Sequence, residues 1–399
     1  MKHIGFGSAI CGAAMLVAAP MGAQADETLS LEEVRESTRM ASKWLNLELE
    51  DYNAPEVTYT GDPIEIRLSS HLPEASERGE FLKQSFAVLE HMSDGKLVIK
   101  PRWSGAVHSV REGFDANRSG ITDFAACFVF LNASNFPLTG GLALPGIFPN
   151  PEVLSLVAEE LAGKYFLPEF EKQGVYIQSI TASTHFNLFS TQPITTLADL
   201  KGKKVRSGTG VNKEIFEDLG AVPVNMGSGD LFSALQRGLI DAIFTSDASA
   251  RTFRINEVAS NHTYTPINFG TFEWCMNPRF FSSLPSDLQA VFYDWSRQKS
   301  QVETQLSFSL GSAEAKAQFL DEGMKYNRIS DEEFALWQEA YAPVVDAYVK
   351  KGEAEGLPTK QLLEDMRASV EKYRGMSREE LLTHVMDSPA AGVAPMSGN

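Results

Sequence analysis

The residues with the clearest chemical use lie in one short run, Leu200-Lys201-Gly202-Lys203-Lys204-Val205-Arg206. A glycine turn leads into a short strand that ends on Arg206, and Ser207-Gly208-Thr209-Gly210 follows before a helix. In an open α/β sheet, ligands sit beyond the carboxyl ends of strands and near helix N-termini. A guanidinium there can hold a carboxylate through two parallel charge-assisted hydrogen bonds. Backbone N–H groups of the 208–210 turn can add to that grip. Spacing alone, however, favours a solvated arginine at a strand edge over a buried anchor.

Other chemistries find less support. Histidines stand at 3, 71, 91, 108, 185, 262 and 384, and no pair has the helix-face spacing of a zinc site. His71 and His185 fall at strand ends and remain of interest. There is no G-x-S-x-G elbow, and neither Cys127 nor Cys275 adjoins a basic residue. The glycine run after Arg206 lacks the G-K-[ST] ending of a phosphate loop. A catalytic reading is therefore thin, a hydrolase stays open beside a binding protein, and no metal and no cofactor are expected.

The composition of the 399 residues sets the frame. Hydrophobic residues make up 43%, which fills real cores, and the length suggests two or three domains. With 35 basic against 52 acidic residues the formal charge is −17, which argues against nucleic acid and anionic membranes as partners. It does not argue against a small anion held by one buried arginine.

Lys2, an apolar run from Ile4 to Pro20, and Ala23-Gln24-Ala25 have the pattern of a secretory signal peptide, residues 1–25. The run is too short and too rich in Gly and Ala for a confident membrane span. Its removal takes away Lys2 and no acid, and shifts the net charge from −17 to −18. The mature chain keeps Cys127 and Cys275, and an oxidising compartment leaves both a disulfide and two free thiols open. No other segment has the length of a membrane helix, so the remainder is expected to be soluble.

These residues must be positioned by alternating strands and helices. Residues 26–60 read as a helical extension and linker, with Ser30 as a cap for a helix beginning near Leu31. Strands follow at 64–68, 97–99, 121–130, 175–189, 203–206 and 239–244. Helices are expected at 82–92, 110–117, 154–170, 215–219 and 231–235, and after Leu284 the pattern is almost wholly helical to Met386. The repeated strand–helix–strand order predicts an α/β architecture with largely parallel sheets. The tail, 389–399, is small and polar and is expected to be disordered.

The stretch Thr196-Leu197-Ala198-Asp199-Leu200-Lys201-Gly202-Lys203-Lys204-Val205-Arg206 resembles the most recognisable motif of the DctP-type solute-binding proteins of TRAP transporters. Leu219–Met226 and Asp230–Asp241 resemble that family in the right order, as do Ser119-Gly120-Ile121-Thr122-Asp123 and Ala143-Leu144-Pro145 upstream. The resemblance covers roughly 62–385 and leaves the extension at 26–60 without a counterpart.

It implies a two-lobe periplasmic binding protein fold with hinge-crossing strands and a long helix spanning both lobes. The lobes would be 61–183 with 271–310, and 184–270 with 311–388. Ligand would be trapped by lobe closure and delivered to the small and large membrane subunits of a TRAP permease. The carboxylate-binding arginine maps onto Arg206. Cleft positions map near Ser70, His71, Phe128, Phe130, Thr209, Thr245 and Trp274. Phe186 stands where many members carry a second arginine, and Thr245 where an asparagine is common. One arginine among aromatics suits a monocarboxylate with an apolar or aromatic body. Two other functions stay open: an exported enzyme acting on a small acid, and a ligand-sensing subunit of a membrane receptor.

Overall fold

A computed structural model of the chain describes residues 29–388. The expected signal peptide and C-terminal tail lie outside the described residues. Within them, strands form at β1 (Ile64–Ser69), β2 (Leu97–Arg102), β3 (Phe124–Ala126), β4 (Tyr176–His185) and β5 (Asn187–Ser190). Six more follow: β6 (Lys204–Arg206), β7 (Val222–Val224), β8 (Ala242–Thr245), β9 (Asn261–Tyr264), β10 (Phe269–Met276) and β11 (Lys325–Arg328).

Two sheets result, each at the centre of one lobe. The first has the order β2-β1-β3-β10-β4 and the second β11-β9-β5-β8-β6-β7. Both are mixed rather than largely parallel. In the first sheet β10 runs antiparallel to β3 and β4, and in the second β5 runs antiparallel to β8 and β9. The physical reason is the connection between lobes: strands that leave one sheet and return enter it against the direction of the βαβ strands.

The apolar run 175–189 was expected as one long strand. It breaks at Phe186, with β4 in the first sheet and β5 in the second. The return path is Thr265–Asn268, between β9 and β10. The two crossings are tied together: Thr265 Oγ1 donates to the Phe186 carbonyl at 2.9 Å and Thr265 N to Asn187 Oδ1 at 3.1 Å.

A third element spans the lobes. Helix Ser286–Glu303 runs through a π-helical stretch, Thr304–Leu310, into helix Gly311–Asp321, about 54 Å at 1.5 Å per residue. Its first part packs on β4 and on helix Glu77–Met92, its last part on helix Asp247–Thr252.

The strand expected at 121–130 shrinks to Phe124–Ala126. Ile121 is exposed, while the Thr122 hydroxyl donates to the Arg67 carbonyl. Beyond Ala126 the chain turns into a 3-10 segment, Val129–Leu131. β11 was not expected: Lys-Tyr-Asn-Arg at a half-exposed edge carries no apolar alternation. Cys127 and Cys275 are free, buried thiols.

The extension is part of the packed molecule. Ser30 and Glu33 form a reciprocal capping box on helix Leu31–Ser37. In the next helix, Arg39–Leu45, Trp44 is fully buried and donates to Gln298 Oε1 at 2.7 Å. Asp287 accepts from the backbone of Thr58 and Tyr59, each at 2.7 Å. No helix among the described residues is long and apolar enough to cross a membrane.

Candidate ligand-binding site

β6 is delivered to its place by the turn before it. Thr196 and Asp199 cap helix Leu197–Leu200, and Gly202 takes the left-handed φ of +73° that reverses the chain. Arg206, the last residue of β6, then pairs in register with Ile243 of β8 and Val224 of β7. It is 4% exposed. Its Nε donates to the Met226 carbonyl at 3.1 Å, and its guanidinium carbon lies 5.2 Å from the Phe130 ring centroid. No carboxylate among the described residues pairs with it. Burial pushes its pKa down to about 10, which leaves it charged at neutral pH.

Gly208 explains how closely the two lobes meet here. Its φ is +88°, and a Cβ on it would stand 2.8 Å from the Phe130 carbonyl oxygen. Thr209 completes the junction: its N–H and its hydroxyl both donate to that carbonyl, at 2.8 and 2.9 Å.

Arg206 opens onto a narrow cleft between the lobes. Six of the nine expected site residues line it: His71, Phe128, Phe130, Phe186, Arg206 and Thr245. Phe128 stacks on Phe130 at 5.4 Å, and Phe272 meets Phe128 edge-on at 5.1 Å. Phe186 packs into the space a side chain at Gly270 would fill. His71 is edge-on to Phe128 at 5.0 Å. Burial first, then the nearby Arg78 and His108, pushes His71 down to about 3, so its imidazole is neutral. Its Nδ1 has no partner.

The other three lie outside the cavity wall. Thr209 is the inter-lobe clamp just described. Ser70 is fully buried in the turn before His71, where its Oγ accepts from Leu72 N at 3.2 Å. Trp274 packs in the core against Phe124 at 5.3 Å, with the Lys299 ammonium 4.7 Å from its ring.

Sequence reasoning missed Arg78, Ser228, Ser249, Phe253 and Phe272, all on the wall. Arg78 matters most, because the cleft therefore holds two buried arginines rather than one. It is 3% exposed, and its guanidinium lies between the rings of Phe308 at 4.5 Å and Phe272 at 5.2 Å. One signal could have found it. Arg78 stands four residues before Leu82, so a charge falls on the stripe of Leu82, Ser85 and Leu89 that helix Glu77–Met92 buries. Among the described residues there is no cluster of His, Cys, Asp and Glu able to hold a metal ion.

The arrangement offers a fixed cation and apolar walls between two lobes, which suits reversible capture of a small anion. Comparison with known proteins agrees with that class. The sequence pattern of the bacterial extracellular solute-binding proteins, family 7 (DctP), matches residues 68–351. The C4-dicarboxylate-binding periplasmic protein DctP of Rhodobacter capsulatus is 23% identical over 74% of this chain and 89% of its own length. Among solved structures, a TRAP solute-binding protein from Rhodoferax ferrireducens in complex with copurified benzoate superposes with a TM-score of 0.72. That match is at 22% identity and covers 78% of this chain and 98% of the other. A TRAP periplasmic solute-binding protein from Bordetella bronchiseptica with bound (R)- and (S)-mandelate has a TM-score of 0.71 and 22% identity, over 78% and 99%.

Proposed function

Because this chain belongs to the bacterial extracellular solute-binding proteins of family 7, we propose that it captures a small carboxylic acid with an aromatic body and delivers it to a TRAP-type permease. The observation that carries this reading is Arg206, a buried guanidinium without a carboxylate partner that faces a cavity walled by phenylalanines. A buried charge is costly unless something pairs with it. A ligand carboxylate supplies that pair, and the rings of Phe128, Phe130, Phe186 and Phe272 supply matching apolar area.

The wider reading follows from the family. Residues 1–25 direct export to the periplasm and are removed. The lobes are 61–183 with 271–310, and 184–270 with 311–388, and they close on the ligand about Phe186 and Thr265–Asn268. The small and large membrane subunits of the permease receive the occupied, closed form. The protein is a carrier and leaves the acid chemically unchanged.

Isothermal titration of the mature protein with benzoate, mandelate and succinate tests the ligand class, with the bound acid recovered and identified afterwards. The expected result is tight binding of an aromatic acid, recovered intact. Tight binding of succinate with no binding of either aromatic acid overturns the reading, and so does recovery of a converted product.

A further inference from the structure

We propose that Arg78 is a second ligand anchor, on the lobe opposite Arg206, and that with His71 it selects aromatic acids that carry a hydroxyl group away from the carboxylate. This rests on the reading of Arg206 as the carboxylate anchor.

Arg78 is unusual among the buried cations of this molecule. Its Nε and Nη1 are buried and meet no acceptor. The carboxylate beside it is Glu303, whose Oε1 lies 3.8 Å from Nη2, beyond hydrogen-bond range. The other oxygen of Glu303, Oε2, takes Lys299 at 2.6 Å and the Thr181 hydroxyl at 3.2 Å, which holds the carboxylate in place with Oε1 short of hydrogen-bonding Arg78. Buried N–H donors are rarely left unmade, and an acceptor that reaches them is strongly favoured.

The position suits an acceptor on a ligand. The Arg78 guanidinium sits over Phe272 as that of Arg206 sits over Phe130, each 5.2 Å from its ring, and the two rings are 6.1 Å apart. Two cations on opposite lobes therefore flank one aromatic pair, and the proposed ligand lies between them.

Two observations identify the second group as a hydroxyl rather than a second carboxylate. Another anion at Arg78 would stand against Glu303, and like charges in a buried site repel strongly. His71 lines the same cavity as a neutral imidazole whose Nδ1 also lacks a partner. A hydroxyl accepts from Arg78 while donating to an imidazole nitrogen, and so satisfies both orphan groups at once.

The test is a protein–ligand double-mutant cycle by isothermal titration on the mature protein. The probes are benzoate, 3-hydroxybenzoate, 4-hydroxybenzoate, mandelate and isophthalate, on wild type, Arg78→Met, Arg78→Lys and Arg206→Met. The expected result is that 3-hydroxybenzoate or 4-hydroxybenzoate binds wild type about tenfold or more tighter than benzoate, with mandelate, whose hydroxyl adjoins its carboxylate, as the control. Arg78→Met erases that preference, costing the ring-hydroxy acids about tenfold more than it costs benzoate, and Arg78→Lys keeps part of it.

The assignment is overturned if benzoate or mandelate equals or exceeds both hydroxybenzoates on wild type, a result that needs no variant to fold. It is also overturned if isophthalate is the tightest ligand, or if Arg78→Met weakens all acids alike. If Arg206→Met binds as wild type does, or no acid binds at all, the carboxylate reading itself fails and the Arg78 assignment falls with it.

Discussion

Arg297 and Arg206 are both buried, and they are treated in opposite ways. Arg297, on the long helix, donates to Glu159 at 2.6 Å, to Asp294 at 2.8 Å and to the Ser388 carbonyl at 2.8 Å. Arg206 has a single backbone carbonyl and an aromatic face. A fully paired buried cation holds structure, because breaking it strands its partners. An unpaired one weakens the empty protein and is kept where a ligand completes it. Arg78 stands between the two, with Glu303 near but out of hydrogen-bond range.

That contrast can be broken from either side. The largest effect is expected at the paired site. Arg297→Met leaves Glu159 and Asp294 without their cation and should cost about 3–5 kcal/mol of unfolding free energy. Urea denaturation measures it, and the protein that stays folded should bind ligand as wild type does. A loss of affinity without a loss of stability would erase the distinction between the two arginines.

A smaller effect is expected in the aromatic wall. Phe128→Leu keeps the cavity apolar but removes the ring that stacks on Phe130 and meets His71. The affinity for an aromatic acid should fall by about 1 kcal/mol, close to fivefold. Titration with an aliphatic acid should show less than that, which separates ring stacking from simple burial.

The last effect concerns pH and vanishes near neutrality. His71 is held down to about 3, chiefly by burial, against an ordinary value of 6.5. Between those values the unfolded chain binds a proton that the folded chain refuses. The contribution of His71 is therefore complete above about pH 6.5 and is lost as the pH falls towards 3. His71→Phe should show a shallower loss of stability over that window. Glu273 acts in the other direction, since burial pushes it up to about 7 and its contribution is lost as pH rises from 4.5 towards 7. Equal acid sensitivity of wild type and His71→Phe would refute the buried, neutral imidazole.

The two arginines also differ in how openly the sequence announces them. Arg206 follows a cap, a glycine turn and a strand, and glycines follow it, so local rules place it at a strand end, while the resemblance to the DctP family is what marks it as an anchor. Arg78 sits in Ser76-Glu77-Arg78-Gly79-Glu80, which reads as the polar start of an exposed helix. Its guanidinium is covered by Phe272 and Phe308 from distant elements, and the Pro73–Ser76 loop packs so tightly on neighbouring Gly79 that a Cβ there would lie 2.4 Å from the Pro73 carbonyl oxygen. Those contacts are tertiary, and in the sequence they leave only the coincidence of Arg78 with the buried stripe of Leu82, Ser85 and Leu89. The break at Phe186 was hidden for the same reason: 175–189 is β-forming throughout, and what divides it is a change of sheet. Phe253 follows helix Asp247–Thr252, and Phe272 lies within β10. Both are ordinary apolar residues until the second lobe arrives to make a wall of them.

Arg206→Met tests the central claim most directly, with benzoate titration and urea denaturation of the empty protein run side by side. The account predicts an affinity loss of about 2–5 kcal/mol, thirtyfold or more, with stability equal to or above wild type because an unpaired buried charge has gone. Unchanged affinity, or a fall in stability in place of a fall in affinity, would contradict it.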